Sequence, residues 1–509
     1  MSLRVPPPPA VALPSLFAAA LVTLSLAGPG RRTPALAWAL AGAAVLLMAW
    51  HAALLVRVAR RPRTLTLTVS LRPQHYVQAC AHFSILLYWG WHWRPVYDAF
   101  PLLLAQLLFA YAFDLLLTWW RRDAYALGFG PFPIVFSTNL FLWFRPEWFA
   151  WQFVMLAVAF TAKALLQWER DGRRTHVFNP SAFALTVMSV GLLATGSTDA
   201  TVGREIAITQ YFPPHIYPFL FLVSLPGQIL FGVAPMTLAA VVTTYLWGLA
   251  WFAATGTYFF LDSYVPIAVF LGMHLLFTDP STSPRSELGR LIFGATYGLT
   301  VVGLYALLVA LGLPAFYDKL LQVPLMNLSV KAIDRVAAWP ALRRFSPGRI
   351  GPAAGRARHA AYAGLWAVVF LAIGAAGGVG DDHRGQFLPF WQQACAAGSQ
   401  RACPHAEEME ATLCRAGSGW ACNELGIRRA ARHDEAIAAL ASWQEGCGRG
   451  FEPACANALD GGARTGPPTL EDYPLLLRGS KGPLAATSAS ALYARACEVG
   501  WPDACRTVP

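Results

Sequence analysis

Residues 35–56 read ALAWALAGAAVLLMAWHAALLV, and Arg57, Arg60, Arg61 and Arg63 follow at once. Those 22 residues carry no charge, and about 20 apolar residues are enough for an α-helix to cross the hydrocarbon of a bilayer. Working outward, comparable runs lie near 11–28, 76–94, 99–119, 131–144, 148–168, 180–196, 215–232, 234–254, 261–277, 291–313 and 359–378. The chain is therefore expected to be an all-α, polytopic transmembrane bundle of about twelve spans. The run at 131–144 is short and fits either a span or a re-entrant segment. The first run is apolar enough for a signal peptide, but the spans behind it make an uncleaved anchor the expected reading. Composition agrees: apolar residues make up 56% of the 509 and charged residues 13%, about half the charged share of a water-soluble domain.

Arginine placement gives an orientation, since short basic loops stay cytoplasmic. Arg57 to Arg72, Arg121 with Arg122, Arg170 with Arg173 and Arg174, and Arg285 with Arg290 form four basic loops. Counted crossing by crossing they share one side. The N-terminus is then expected in the cytoplasm, with the loops at 197–214 and 255–260 outside. The net charge of +11 is explained by these loops, so no nucleic-acid partner is expected. Arg343, Arg344, Arg349, Arg356 and Arg358 are also expected in the cytoplasm. Segment 314–334, polar through Asp318, Lys319, Asn327 and Lys331, must then recross the membrane or lie on its surface. Recrossing is preferred, because the span at 359–378 then carries the C-terminus outside.

Eight of the nine cysteines follow residue 390 as four equally spaced pairs: Cys395/Cys403, Cys414/Cys422, Cys447/Cys455 and Cys497/Cys505. Each pair carries Gly at its fourth position (Gly398, Gly417, Gly450, Gly500) and Ala before its second Cys (Ala402, Ala421, Ala454, Ala504). Four copies of C-x-x-G-x-x-x-A-C describe a repeated helix, turn and helix. Gly supplies the left-handed residue that ends the first helix, and Ala lets the second approach closely. Zinc sites use tighter spacing, so a disulfide is expected in each pair, and disulfides need an oxidising compartment. That requirement reaches the same topology as the arginines. His383, His405 and His433 are too far apart for a local metal motif and are expected to be solvated. This tail resembles the cysteine-rich Sel-like repeats, relatives of the tetratricopeptide family, which implies an interaction surface for an extracytoplasmic protein partner.

Two segments beside the basic loops carry candidate chemistry. One is Arg173-Arg174-Thr175-His176-Val177-Phe178-Asn179-Pro180-Ser181-Ala182-Phe183; the other is Thr278-Asp279-Pro280-Ser281-Thr282-Ser283-Pro284 with Gly289-Arg290-Leu291-Ile292-Phe293-Gly294. The plainer account is structural: Asn179 caps a helix that Pro180 begins, and the second segment is a capped turn. A helix start with free amides can also hold a phosphate or a flavin edge.

In order, these motifs resemble the membrane family that holds the D subunit of Rnf electron-transport complexes and the B subunit of sodium-translocating NADH:quinone oxidoreductases. The resemblance is closest to the UnbU-like branch of that family, through Arg72-Pro73-Gln74-His75-Tyr76, and it spans about residues 70–330. It implies a core of two five-helix repeats in a bacterial inner (cytoplasmic) membrane, with bound flavin (FMN or riboflavin) and other subunits of an electron-transport assembly. On it, Asn179, Pro180, Thr278, Asp279 and Pro280 become candidate flavin contacts. Covalent flavin in that family sits on the last Thr of an S/T-G-A-T motif. Here Thr198-Asp199-Ala200-Thr201 is the nearest match; Thr201 is in place, but Asp199 replaces the Gly.

Domain boundaries are expected at 1–70 (a two-span extension), 71–335 (the core), 336–380 (a basic loop and final span) and 381–509 (the repeat domain). Asp114, Asn139, Lys163 and His274 stand out as polar residues within spans. Asp114 and Lys163 are read as snorkelling near the cytoplasmic ends. His51, His82 and His92 are read as amphipathic interfacial residues in preference to haem ligands, and Trp89, Trp91 and Trp93 as an outer aromatic belt. Two functions follow: a flavin-containing subunit of a redox or ion-translocating assembly, or a non-catalytic anchor that presents the repeat domain.

Overall fold

The computed structural model describes residues 2–5, 7–27, 33–61, 63–170, 172–347, 355–380, 383–432, 434–477 and 488–507; Arg349 and His433 lie outside the described residues. The protein is mostly helical and divides into two compact units.

The first unit takes residues 1–210, 217–244 and 267–373. It begins with α1 (Pro7–Leu26) and α2 (Pro34–Arg60), a helical hairpin packed on α4 (Phe100–Arg121). On α2 the buried residues Leu36, Leu40, Ala43, Leu47 and Leu54 recur at helical spacing, as a one-sided contact requires. Its other face leaves Trp38 77% and Leu46 73% exposed. An outer face that is as apolar as the inner one is what lipid solvates. Among the described residues, five helices are long and apolar enough to cross a membrane: α2, α4, α9 (Ala234–Thr255), α11 (Glu287–Ala310) and α13 (Arg356–Ala375).

The remaining helices of this unit are α3 (Pro73–His92), α5 (Pro131–Asn139), α6 (Ala150–Leu165), α7 (Pro180–Thr195), α8 (Ile216–Phe231), α10 (Ile267–Leu276) and α12 (Asp318–Ala337). Segment 314–334, too polar to read as a span, is the greater part of α12. It runs antiparallel along α11: Thr300 meets Met326, and Gly289 lies beside Asp334. Asp318, Lys319, Gln322 and Asn327 are all buried against α7 and α11, so its polarity faces protein.

The run at 131–144 is neither a full helix nor a loop that turns back. α5 starts beside His75 and ends at Asn139; the chain then extends to Phe144, which bridges to Thr201. Breaking a helix inside an apolar bundle exposes backbone groups that must find partners. Buried amide side chains supply them. Gln152 accepts from the Phe144 N–H at 3.2 Å, Gln210 donates to the Leu140 carbonyl at 2.7 Å, and Asn139 and Gln106 exchange two hydrogen bonds at 2.7 and 3.1 Å.

Five short strands among the described residues depart from the all-α expectation. β1 (Ser2–Val5), β2 (Thr66–Ser70) and β3 (Ala124–Leu127) form one sheet, and β4 (Gln167–Arg170) with β5 (Arg173–His176) a hairpin. Most occupy arginine-rich loops, where four or five residues carry no readable alternation and only the pairing of distant loops makes a ladder.

The second unit takes residues 211–216, 245–266 and 374–509. Its tail comprises α14 (Leu388–Ala396), α15 (Ala402–Ala416), α16 (Gly419–Ala430), α17 (Ala436–Gly448), α18 (Glu452–Asp460), α19 (Ala489–Glu498) and α20 (Pro502–Thr507). The four expected disulfides, Cys395–Cys403, Cys414–Cys422, Cys447–Cys455 and Cys497–Cys505, are all present, with Cα–Cα distances of 4.5–4.7 Å. They staple α14 to α15, α15 to α16, α17 to α18 and α19 to α20. The four motifs share one internal spacing, but their settings in the fold differ in two ways. The first two units share a helix, because α15 carries both Cys403 and Cys414. The second cysteines also differ in depth: Cys422 is wholly buried, Cys403 and Cys455 are half-buried, and Cys505 is exposed. What covers each is the neighbouring helix pair, which the nine-residue motif does not encode.

Gly398, Gly417, Gly450 and Gly500 have φ of +89°, +113°, +84° and +106°. Ala402, Ala421, Ala454 and Ala504 are wholly buried. The motif thus works as its chemistry requires. The ninth cysteine, Cys80, is free and exposed.

Within this unit the tail grips the segment 251–264. The Phe390 ring lies tilted against Tyr258 at 5.3 Å, and Arg401 lies 5.2 Å from the Trp251 ring while donating to the Phe259 carbonyl at 3.0 Å. Gly385 is needed there: a Cβ would stand 2.3 Å from the Leu261 carbonyl. His383 is not solvated, as its spacing in sequence suggested; it is buried against Tyr258 and Tyr264. His405 is half-buried against Trp391. The tyrosines come from a segment more than a hundred residues away, which a local reading does not see.

Candidate functional site

The two motif segments meet at the arginine-rich end of the first unit. Asn179 caps α7, its Oδ1 accepting from the Ala182 N–H at 3.1 Å, and Pro180 occupies the first turn. Its Nδ2 donates to the Leu276 carbonyl at 2.9 Å, tying the start of α7 to the end of α10. The Asn179 N–H donates to Asn327 Oδ1 at 3.0 Å, and Asn327 Nδ2 donates to the Thr282 carbonyl at 3.3 Å. Asn327 of α12 therefore clamps both motifs.

Asp279 lies 2.9 Å from His176 Nε2 and accepts from the Ser281 N–H at 2.9 Å; its carbonyl accepts from the Ser283 hydroxyl. Burial pushes its carboxyl up, but His176 and the Ser281 donors outweigh that and hold it below the usual carboxylate range. Thr278 donates to the His274 carbonyl at 2.8 Å. His274 sits in a π-helical turn, Gly272–Leu276, and its Nδ1 meets the Phe270 carbonyl at 2.7 Å.

Arg170, expected in one of the basic loops, is buried. It donates to the Ser283 carbonyl at 2.8 Å and pairs with Asp334 of α12 at 2.7 Å, while Asp334 also accepts from the Arg285 N–H at 2.9 Å. Arg290 donates to the Gly232 and Pro284 carbonyls. Gly294 lets α11 approach α9 closely, since a Cβ would stand 2.2 Å from the Met236 carbonyl. Asn327 and Asp334 are not legible from the sequence as site residues. Their signal is the anomalous polarity of 314–334, which reads as a topology problem until the helix is seen packed.

Thr201 is not brought to this site. It lies past the far end of α7, about 24 Å away at 1.5 Å per residue. Its side chain is buried, and its hydroxyl donates to the Thr198 carbonyl at 3.0 Å.

A flavin would need a slot for a tricyclic ring and donors left free for its carbonyls or phosphate. Around Asn179, Pro180, Thr278, Asp279 and Pro280 the polar groups are engaged with one another. The cavity beside Thr278 and His274 measures about 10 Å³, room for at most about one water. The polar side chains that the resemblance offers to a flavin, Asn179, Thr278 and Asp279, are thus committed to partners within the protein.

The other singled-out residues divide by depth. Asp114 is not simply snorkelling: it accepts from the Tyr125 hydroxyl of β3 at 3.1 Å, while Lys163 lies 5.8 Å from the Phe160 ring. His51 and His82 are buried, with Nδ1 on Ser15 Oγ and the Gln78 carbonyl respectively. Of the expected aromatic belt, only Trp91 is largely exposed. Trp89 is fully buried, donates to Thr209 and stacks on Trp93.

Compared with protein-family models, curated proteins and solved structures, the chain matches none.

Proposed function

We propose that the chain is a membrane-embedded scaffold whose helical bundle holds the disulfide-stapled repeat domain for a protein partner. One observation carries this reading. The residues of both motif segments are spent locking α7, α10 and α12 together, through Asn179–Asn327–Thr282, Asn179–Leu276 and His176–Asp279, with the Arg170–Asp334 pair beside them. They act as a structural clamp with little capacity left over for a ligand.

The same reading takes the chain as an Rnf-D-like protein of a bacterial inner membrane, cytoplasmic at its N-terminus and with the repeat domain outside. Helices α3 to α7 (α5 as the broken one) and α8 to α12 would be the two five-helix repeats, with opposite orientations. Counting the hairpin α1–α2 and the final helix α13, the chain crosses an odd number of times. The oxidising requirement of four disulfides supports that outcome.

Retention of both proline motifs favours the second reading, a flavin-bearing member of an electron-transport or ion-translocating assembly. The two are separated by the absorbance spectrum of the full chain purified from its own membranes. The scaffold reading expects no flavin band. A stoichiometric flavin band that survives gel filtration would overturn it, and acid precipitation would then tell covalent from non-covalent attachment.

A further inference from the structure

Where α4 and α6 end and the β4–β5 hairpin begins, the first unit has a polar cavity of about 320 Å³. Arg121, Leu165, Gln167, Trp168, Glu169 and Arg174 line it. Arg121 is the last residue of a helix long and apolar enough to cross a membrane. Its guanidinium spends one donor on the Ala164 carbonyl, which fixes its direction and leaves the rest of the fork for an acceptor. Leu165 and Leu166 beside it are 55% and 39% exposed. Lys331 covers a face of Trp168 at 4.7 Å. Glu169 is the opposing carboxylate on the lining.

From this we infer that the cavity binds the headgroup phosphate of an anionic phospholipid, with Arg121 and Arg174 as its ligands and Leu165 and Leu166 under its acyl chains. Guanidinium is suited to a phosphodiester because its planar donors match two oxygens at once. The position is right as well: Arg121 stands where an apolar helix ends, and two exposed leucines stand beside the carbonyl it holds. A soluble anion would use the arginines alone and draw nothing from the leucines.

The test titrates phosphatidylglycerol, phosphatidylcholine and inorganic phosphate separately into the full chain in detergent, read by native mass spectrometry. Phosphatidylglycerol is expected to bind more tightly than phosphatidylcholine by about five-fold for each charge it meets near the surface. R121Q/R174Q should abolish that preference, whereas R344Q, which removes an exposed charge elsewhere, should keep it. E169Q should strengthen binding, a gain that misfolding cannot mimic. Equal retention of the two lipids, an unchanged preference in R121Q/R174Q, or weaker binding in E169Q would overturn the proposal. So would inorganic phosphate displacing phosphatidylglycerol at equal concentration, which would mark the cavity as a soluble-anion site.

Discussion

Replacing Asp334 with Asn removes one charge and almost no volume, and it tests the clamp directly. The Arg170 side chain is 6% exposed and that of Asp334 25%. Taking the partner from a buried ion pair costs about 3–5 kcal/mol, because the remaining charge stays desolvated. Asp334 is partly exposed, and Arg170 keeps the Ser283 carbonyl at 2.8 Å, so the expected loss for D334N is about 2–3 kcal/mol. Asn keeps an oxygen for the Arg285 N–H, which separates the charge effect from the loss of that hydrogen bond. R170Q should cost a similar amount. The double variant R170Q/D334N should cost less than the sum by about 1–3 kcal/mol, the range for directly coupled groups. The assay is SDS-induced unfolding of the purified chain, followed by tryptophan fluorescence on all four proteins. Additive single-variant losses, or a D334N loss below about 0.5 kcal/mol, would refute the claim that α12 is locked to β4 and the 282–285 turn.

Three further outcomes follow from the repeat domain and the helix contacts. Burial, then the neighbouring Glu410, pushes the Glu424 carboxyl up to about 7 from an ordinary 4.5. The native state therefore holds that proton more tightly than the unfolded chain. Its contribution is full below about pH 4.5 and lost as pH rises through about 7, by up to about 3 kcal/mol; pulse proteolysis of the tail should show this loss, and E424Q should flatten it. Gly398 has φ +89° and open space around its missing Cβ, so in the same proteolysis assay G398A should cost about 1–2 kcal/mol through backbone strain alone, while G303A, in open space within α11, should cost nothing in SDS-induced unfolding. Each disulfide closes a loop with a sequence separation of 8 and should stabilise the tail by roughly 2.5 kcal/mol. Reductant should shift the chain on a gel and C447S/C455S should sensitise the tail to protease; peptide mapping should find Cys497–Cys505 reduced before Cys414–Cys422, because access governs attack.

The fold was legible where chemistry is local and repeated. Of the dozen apolar runs, five form helices long and apolar enough to cross a membrane among the described residues, because backbone hydrogen bonds within such a run satisfy themselves whatever its neighbours. Four C-x-x-G-x-x-x-A-C units specified the disulfide pairs, the left-handed glycines and the buried alanines, because cysteine partners eight residues apart meet across a single turn. The capping roles of Asn179 and Pro180 were readable for the same reason. What only the tertiary structure decided lies between distant elements. The polarity of 314–334 could not be interpreted until Asn327 and Asp334 were seen facing Asn179 and Arg170, since a polar helix is excluded from lipid but not from a protein interior that pairs it. The burial of His383 and Trp89, the unequal depths of Cys422 and Cys505, the short helix within the run 131–144 and the strands in the basic loops share that cause. Each rests on partners tens to hundreds of residues away, where sequence spacing carries no information about distance.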